Sequence, residues 1–116
     1  MADQFRKANH NPVVVLNGDR TKNVLALTAK SGSTVKLSAE GTSDPDKNSV
    51  KLTWWIYPEA GTLRAEATLS AAEGPTTEVR LPQVQQSGTV HVILQAEDDG
   101  SPPLYAYRRA VLQVKP

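Results

Sequence analysis

The segment Trp54-Trp55-Ile56-Tyr57 places three aromatic side chains within four consecutive positions. In a β-strand, side chains two residues apart lie on the same side, about 7 Å from each other. Trp55 and Tyr57 therefore share one face, and flat rings at this spacing can stack on successive sugars of a β-linked glucan. The pattern predicts a carbohydrate site at Trp55 and Tyr57, with Tyr107 and His91 at its margin. The competing interpretation is that the same rings pack against another domain.

A second group of residues has the chemistry of a calcium loop. Asp44, Asp46 and Asn48 place oxygen-bearing side chains at alternate positions, and Asp98 lies in a later acidic turn. The EF-hand pattern is not met, because serine replaces the glycine required at the sixth position and tryptophan replaces the glutamate at the twelfth. Asp and Asn beside Pro and Gly also form ordinary turns. These four residues are the predicted metal ligands if the loop binds calcium, and no other cofactor is predicted.

Residue types that would support catalysis are scarce. The chain has no cysteine, two histidines and no G-x-S-x-G segment, so the usual signatures of thiol and serine nucleophiles are missing. A glycosidase needs two carboxylates facing each other across a cleft, whereas Glu97, Asp98 and Asp99 form one run in a predicted loop. We expect this domain not to be an enzyme.

Charge and hydropathy exclude two further classes. Lys and Arg number 13 and Asp and Glu 12 among 116 residues, which gives a net charge of +1. Nucleic-acid binders usually carry a basic stripe, and none is visible here. The apolar runs are four or five residues long, well short of the roughly 20 needed to span a bilayer. Neither a nucleic-acid partner nor a membrane span is predicted.

The elements that must position these residues are strands. Val, Ile and Thr make up 24 of the 116 residues, and turn signals recur about every dozen residues, as in an all-β sandwich. Residues 1–11 are predicted to be a linker or the end of an upstream element, and residues 12–116 one domain. The fold class predicted is an immunoglobulin-like sandwich of seven or eight antiparallel strands. Strands are predicted at residues 13–16, 24–28, 35–39, 50–57, 63–69, 77–81, 89–96 and 106–114.

Alternation within three of these strands assigns a buried and an outer face. Trp54 falls in the buried phase of its strand, so we expect it to be a core residue. The strands predicted at residues 50–57, 89–96 and 106–114 correspond to the third, sixth and seventh strands of an immunoglobulin-like topology, which are neighbours in one sheet. Their outer face would then carry an apolar patch that requires an explanation. Its predicted members are Trp55, Tyr57, Ile93, Tyr107 and Val111, beside His91 and Arg109.

Several segments resemble known modules. Residues 41–55 resemble the second-to-third strand passage of polycystic-kidney-disease-like domains, and residues 96–104 resemble the A-x-D-x-G-x-P-x-L run of cadherin repeats. A wider resemblance, to the C-terminal domain of a bacterial family of cellulose-binding proteins, covers residues 9–18, 54–62, 91–94 and 98–104. Its most specific string is W-W-x-Y-x-E-A-G-T at residues 54–62.

In that family the module follows a nucleoside-hydrolase-like domain. The resemblance implies a β-sandwich within a secreted, periplasmic or cell-surface bacterial protein concerned with polysaccharide. Three functions are therefore expected as alternatives. The first is recognition of cellulose or a related β-glucan without catalysis. The second is docking on the upstream domain, and the third is a calcium-stiffened adhesion or spacer module.

Overall fold

The computed structural model describes residues 11–45, 49–63 and 65–116. These residues form seven strands and one short 3-10 turn at Pro58–Ala60. In chain order the strands are β1 (Leu25–Lys30), β2 (Thr34–Ser38), β3 (Val50–Ile56), β4 (Thr68–Leu69), β5 (Thr76–Arg80), β6 (Gly88–Asp98) and β7 (Tyr105–Lys115). Within these described ranges, no helix has the length and apolarity that crossing a membrane requires.

The strands form two sheets, as the sequence predicts. One sheet has the order β1-β7-β6-β3 and the other the order β2-β5-β4. The predicted adjacency of the strands at residues 50–57, 89–96 and 106–114 is confirmed, because β6 lies between β3 and β7. The prediction that all strands are antiparallel is wrong at one place, because β1 runs parallel to β7. Alternation and turn signals fix the direction of strands joined by a hairpin, but β1 and β7 are far apart in sequence and no hairpin constrains them.

The core lies between the two sheets and follows the alternation of the strands. Every second residue of β6 and β7 points inward, and the three-stranded sheet contributes Leu37 and Val79 from the opposite side. Trp54 is 1% exposed, and its indole Nε1 donates a hydrogen bond to the carbonyl of Gly74 at 2.9 Å. The prediction that Trp54 is a core residue is confirmed.

Two predicted strands are largely irregular. Residues 13–16 are mostly buried but form only isolated bridges, Val13 with Ser43 and Leu16 with Asp19. Asn17 and Gly18 both have positive φ, which makes the tight turn between Leu16 and Asp19. Among the described residues of the predicted strand 63–69, which exclude residue 64, only residues 68–69 are paired as a strand. Its first residue instead bonds through its amide to the carbonyl of Thr89.

The predicted domain boundary after residue 11 stays a prediction, because residues 1–10 lie outside the described ranges.

Candidate functional site

The outer side of the four-stranded sheet carries the residues predicted for the carbohydrate site. Trp55 is 38% exposed, Tyr57 40% and Tyr107 56%, whereas Ile93 between them is 8% exposed. The β3 strand turns Trp55 outward because its neighbour Trp54 takes the inward position. We call these four residues, Trp55, Tyr57, Ile93 and Tyr107, the aromatic face.

The rings of Trp55 and Tyr107 in the aromatic face are not parallel to each other. Trp55 pairs in register with Ile93 of β6, which pairs in turn with Arg109 of β7. The Trp55 and Tyr107 ring centroids are 6.4 Å apart with an interplanar angle of 79°. One ring thus presents its edge to the face of the other. The pair of Trp55 and Tyr107 thus forms two walls that meet at an angle. The flat platform that the spacing of Trp55 and Tyr57 suggests stays a prediction.

Tyr57 is held by a basic residue of β7. The guanidinium carbon of Arg109 lies 5.7 Å from the centroid of the Tyr57 ring, a favourable cation–π distance. The Arg109 Nη1 atom lies 3.4 Å from Nδ1 of His91. Because a guanidinium can only donate, Nδ1 of His91 accepts this hydrogen bond. The amide of Tyr57 donates to the carbonyl of His91 at 2.9 Å, so these three residues form one connected group.

The ionisation of His91 follows from this position. Burial lowers the pKa of His91 below its ordinary value, and the positive charge of Arg109 lowers it further. At neutral pH the imidazole is therefore neutral, which agrees with its role as the acceptor from Arg109. His91 itself lines a neighbouring depression with Tyr57 and Pro58, and it contacts the aromatic face through Arg109.

A groove of about 500 Å³ runs over the aromatic face. Its walls combine aromatic rings with cationic side chains, and no carboxylate lines it among the residues that the structure describes. The lining residues are Lys22, Val24, Trp55, Tyr57, Ile93, Tyr107, Arg108 and Arg109. A concave apolar surface with a few polar donors is the usual form of a small-ligand or sugar site.

Comparison with known proteins gives a family for this chain. Residues 34–114 match the family described as "Cellulose-binding protein Sde0182, C-terminal domain". The chain belongs to this family. The resemblance inferred from the segments at residues 54–62 and 98–104 is thereby confirmed, and both segments lie within the matched range.

A solved structure is similar to this member of the cellulose-binding family over most of its length. It is described as a nucleoside hydrolase-related hypothetical protein from Saccharophagus degradans that is associated with carbohydrate metabolism. The sequences are 41% identical, the TM-score is 0.90, and the match covers 93% of this chain. The chain spans 26% of the length of that protein. No curated protein matches the chain.

The residues predicted to bind calcium are only partly described in this family member. Asp46 and Asn48 lie outside the described residues. Asp44 and Asp98 are buried, and Oδ1 of Asp98 accepts hydrogen bonds from the amides of Gly100 and Leu104 at 3.0 and 2.8 Å. Those bonds are typical of a turn-stabilising aspartate. The part of the chain that the structure describes holds no group of three His, Cys, Asp or Glu side chains able to bind a metal.

Sequence reasoning missed the role of Arg108 beside the groove. Arg108 is 4% exposed, and its guanidinium donates to the carbonyls of Asp19 at 2.8 Å and Asn23 at 3.0 Å. It also lies 3.4 Å from the Asp19 carboxylate. Hydrogen bonds from Thr21 lower the pKa of Asp19, and the charge of Arg108 adds to this effect. The network fixes the 19–23 segment, which contributes Lys22 to the groove.

A signal for Arg108 is present in the sequence. Arg108 falls in the same alternating phase as the buried residues Ala110, Leu112 and Val114. A charged residue in a buried phase must be paired or hydrogen-bonded, so an anchoring role follows from the pattern. Lys22 and Val24 carry no comparable signal, because only the fold brings their segment to the edge of the aromatic face.

Proposed function

We propose that this domain is a non-catalytic module that recognises cellulose or a related β-glucan through the aromatic face. The observation that supports this most is that Trp55 and Tyr107 are exposed and line a groove. The other tryptophan of the sheet, Trp54, is buried in the core. Large exposed apolar patches on one face mark interaction sites. The family description, which names a cellulose-binding protein, is consistent with a polysaccharide as the ligand.

The geometry favours a single glycan chain as the ligand. Rings at 79° to each other cannot both lie against one flat crystalline surface. A chain lying in the groove can place the C–H face of a sugar on one ring while its hydroxyls remain near water or near the Arg109 guanidinium. Aromatic rings provide such contact area at low cost in side-chain entropy.

The absence of catalysis in this proposal rests on the lining of the groove. Hydrolysis of a glycosidic bond requires an acid and a second carboxylate on either side of that bond. Among the described residues, none of those lining the groove is an aspartate or a glutamate. The groove thus offers contact surface and hydrogen-bond donors, which suit binding alone.

Retention on amorphous cellulose tests this function. We expect Trp55→Ala to abolish retention of the 116-residue chain, because the substitution removes a wall of the groove. Trp55→Phe keeps an aromatic wall and is the matched control, for which we expect partial retention. Melting temperatures of both variants show whether the fold persists. Full retention by a folded Trp55→Ala variant would contradict the proposal.

A second candidate function is docking on an upstream domain. It is favoured by the size of the related solved protein, of which this chain spans 26%. If the aromatic face docks on another domain, Trp55 should be shielded from a soluble fluorescence quencher only in a full-length protein. Trp54 is already buried in the domain alone, so a change in quenching on going to full length reports on Trp55.

The third alternative, a calcium-stiffened spacer, and the location in a secreted, periplasmic or cell-surface protein stay predictions. Thermal melts with calcium and with a chelator separate the spacer from the other two functions, because an ion bound only by the folded state raises its stability.

A further inference from the structure

A second depression adjoins the groove on the other side of Tyr107. It has a volume of about 490 Å³ and is lined by the start of the described chain, the 20–22 segment and the first residues of β7. Lys22, Tyr107 and Arg108 line both depressions. The groove therefore continues past Tyr107 toward residues 11–14. We call the combined surface the extended groove.

The extended groove is positively charged. Its lining includes Arg20, Lys22, Arg108 and Arg109 and, within the described residues, no aspartate or glutamate. The whole chain has a net charge of only +1, so the positive charge is concentrated here and balanced elsewhere. A cleft lined by one sign of charge attracts ligands of the opposite sign.

Three of these four charges have no carboxylate partner within the described parts of the chain. Arg108 is paired with Asp19, which neutralises its charge. The ion pairs found in the described residues include none formed by Arg20, Lys22 or Arg109. Arg20 and Lys22 are exposed, and Arg109 keeps free donors beyond its bond to His91. Glu97 lines neither depression, but it accepts a hydrogen bond at 3.3 Å from the hydroxyl of Tyr105, which lines the second one.

We propose that the extended groove prefers β-linked glycan chains that carry carboxylate groups, as uronic acid units do, over neutral ones. This inference rests on the proposed function, since it names the substrate class of the same site. The aromatic face supplies stacking that any β-linked chain can use. Arg109, Arg20 and Lys22 supply charge-assisted hydrogen bonds, which are stronger than those to a neutral hydroxyl and which a guanidinium makes in pairs to one carboxylate.

Calorimetric titration with two matched oligosaccharides tests the proposal. One is a cello-oligosaccharide, and the other is the same oligosaccharide with each primary hydroxyl oxidised to a carboxylate. At about 0.1 M salt we expect the carboxylated chain to bind roughly tenfold more tightly, and at about 1 M salt we expect this advantage to shrink severalfold because mobile ions screen exposed charges. Binding of the neutral chain should be nearly independent of salt.

Charge-removing variants assign the effect to the extended groove. Arg109→Gln, and separately the double variant Arg20→Gln with Lys22→Gln, should reduce the preference for the carboxylated chain severalfold. The preference is the ratio of the two affinities measured on the same variant, so a loss of affinity shared by both chains does not change it. Lys30→Gln is the matched control. It also removes one positive charge, but Lys30 lies opposite Lys115 in the strand register, at the other end of the same sheet from the extended groove. The control variant should keep the full preference.

Each outcome has a distinct meaning. Equal, salt-independent binding of the two chains would overturn the inference and leave carbohydrate recognition intact. A preference that survives both charge-removing variants would also overturn it. Binding of neither chain would instead reject the proposed function on which the inference depends.

Discussion

At the scale of single residues, two adjacent tryptophans have opposite environments because the strand alternates. Trp54 fills the core and Trp55 stands on the outer sheet face. The difference gives each ring a separate role, one in stability and one at the surface. It also lets the two roles be tested separately by substitution at neighbouring positions.

Trp54→Ala should lower the free energy of unfolding by about 3–5 kcal/mol, the usual cost of removing a large buried aromatic side chain. The loss includes the hydrogen bond from Nε1 to Gly74. Trp55→Ala should cost about 1 kcal/mol, since it removes mainly the cross-strand contact with Ile93 and the edge-to-face contact with Tyr107. Urea unfolding of both variants measures the difference. Equal costs would show that the two rings are not in the environments described.

His91 makes stability depend on pH near the lower end of the physiological range. Its pKa in the folded chain is lowered, by burial and then by Arg109, below the value of about 6.5 expected in the unfolded chain. The unfolded state therefore binds the proton first as the pH falls. The contribution of His91 to stability is complete above about pH 6.5 and is lost as the pH falls through the folded-state pKa.

Unfolding free energies measured across this pH window test the expectation. His91→Gln keeps a polar side chain of similar reach and removes the titration, so its stability should fall less steeply with decreasing pH than that of the parent chain. Identical slopes in the two proteins would contradict the assignment.

At the scale of elements, the segment from Leu16 to Asn23 is held by one side chain of the last strand. Arg108 and Asp19 are 89 positions apart in sequence, and the tight turn at Asn17 and Gly18 directs Asp19 toward the guanidinium. Arg108 lies at a position where the alternation of β7 predicts a buried side chain, so its guanidinium is expected to need hydrogen-bond acceptors. The alternation does not identify the carbonyls that accept. The partners are fixed by a contact between chain ends, which local alternation does not encode.

Arg108→Met, which keeps the length of the side chain, should lower the free energy of unfolding by about 3 kcal/mol. The substitution removes the guanidinium donors from the carbonyls of Asn23 and Asp19, and the Asp19 carbonyl keeps only the Leu16 amide. Arg109→Met is the neighbouring control on the outer face and should cost about 1 kcal/mol or less. Chemical denaturation measures both. A small effect at Arg108 would mean that solvent replaces its hydrogen bonds.

At the scale of the whole molecule, two sheets enclose one core and leave one outer face rich in aromatic and basic residues. The grouping of β3, β6 and β7 was predictable because alternation and turn signals indicate a sandwich, and these strands share one sheet in an immunoglobulin-like topology. The parallel pairing of β1 with β7 and the irregular course of residues 13–16 and 65–67 were not. Those features depend on which strand edges and loops come into contact when the sheets pack. The alternation of apolar and polar residues along a strand is compatible with more than one neighbour and with either strand direction.

The amino-acid order by itself determined the all-β class, the inward position of Trp54 and the outward positions of Trp55 and Tyr57, because alternation along a strand is a local property. Only the tertiary structure decided that Trp55 meets Tyr107 edge to face, that Arg109 covers Tyr57, and that Lys22 reaches the groove. These contacts join residues from different strands and loops. Their angles and distances depend on sheet register and packing, which no single segment of the chain contains.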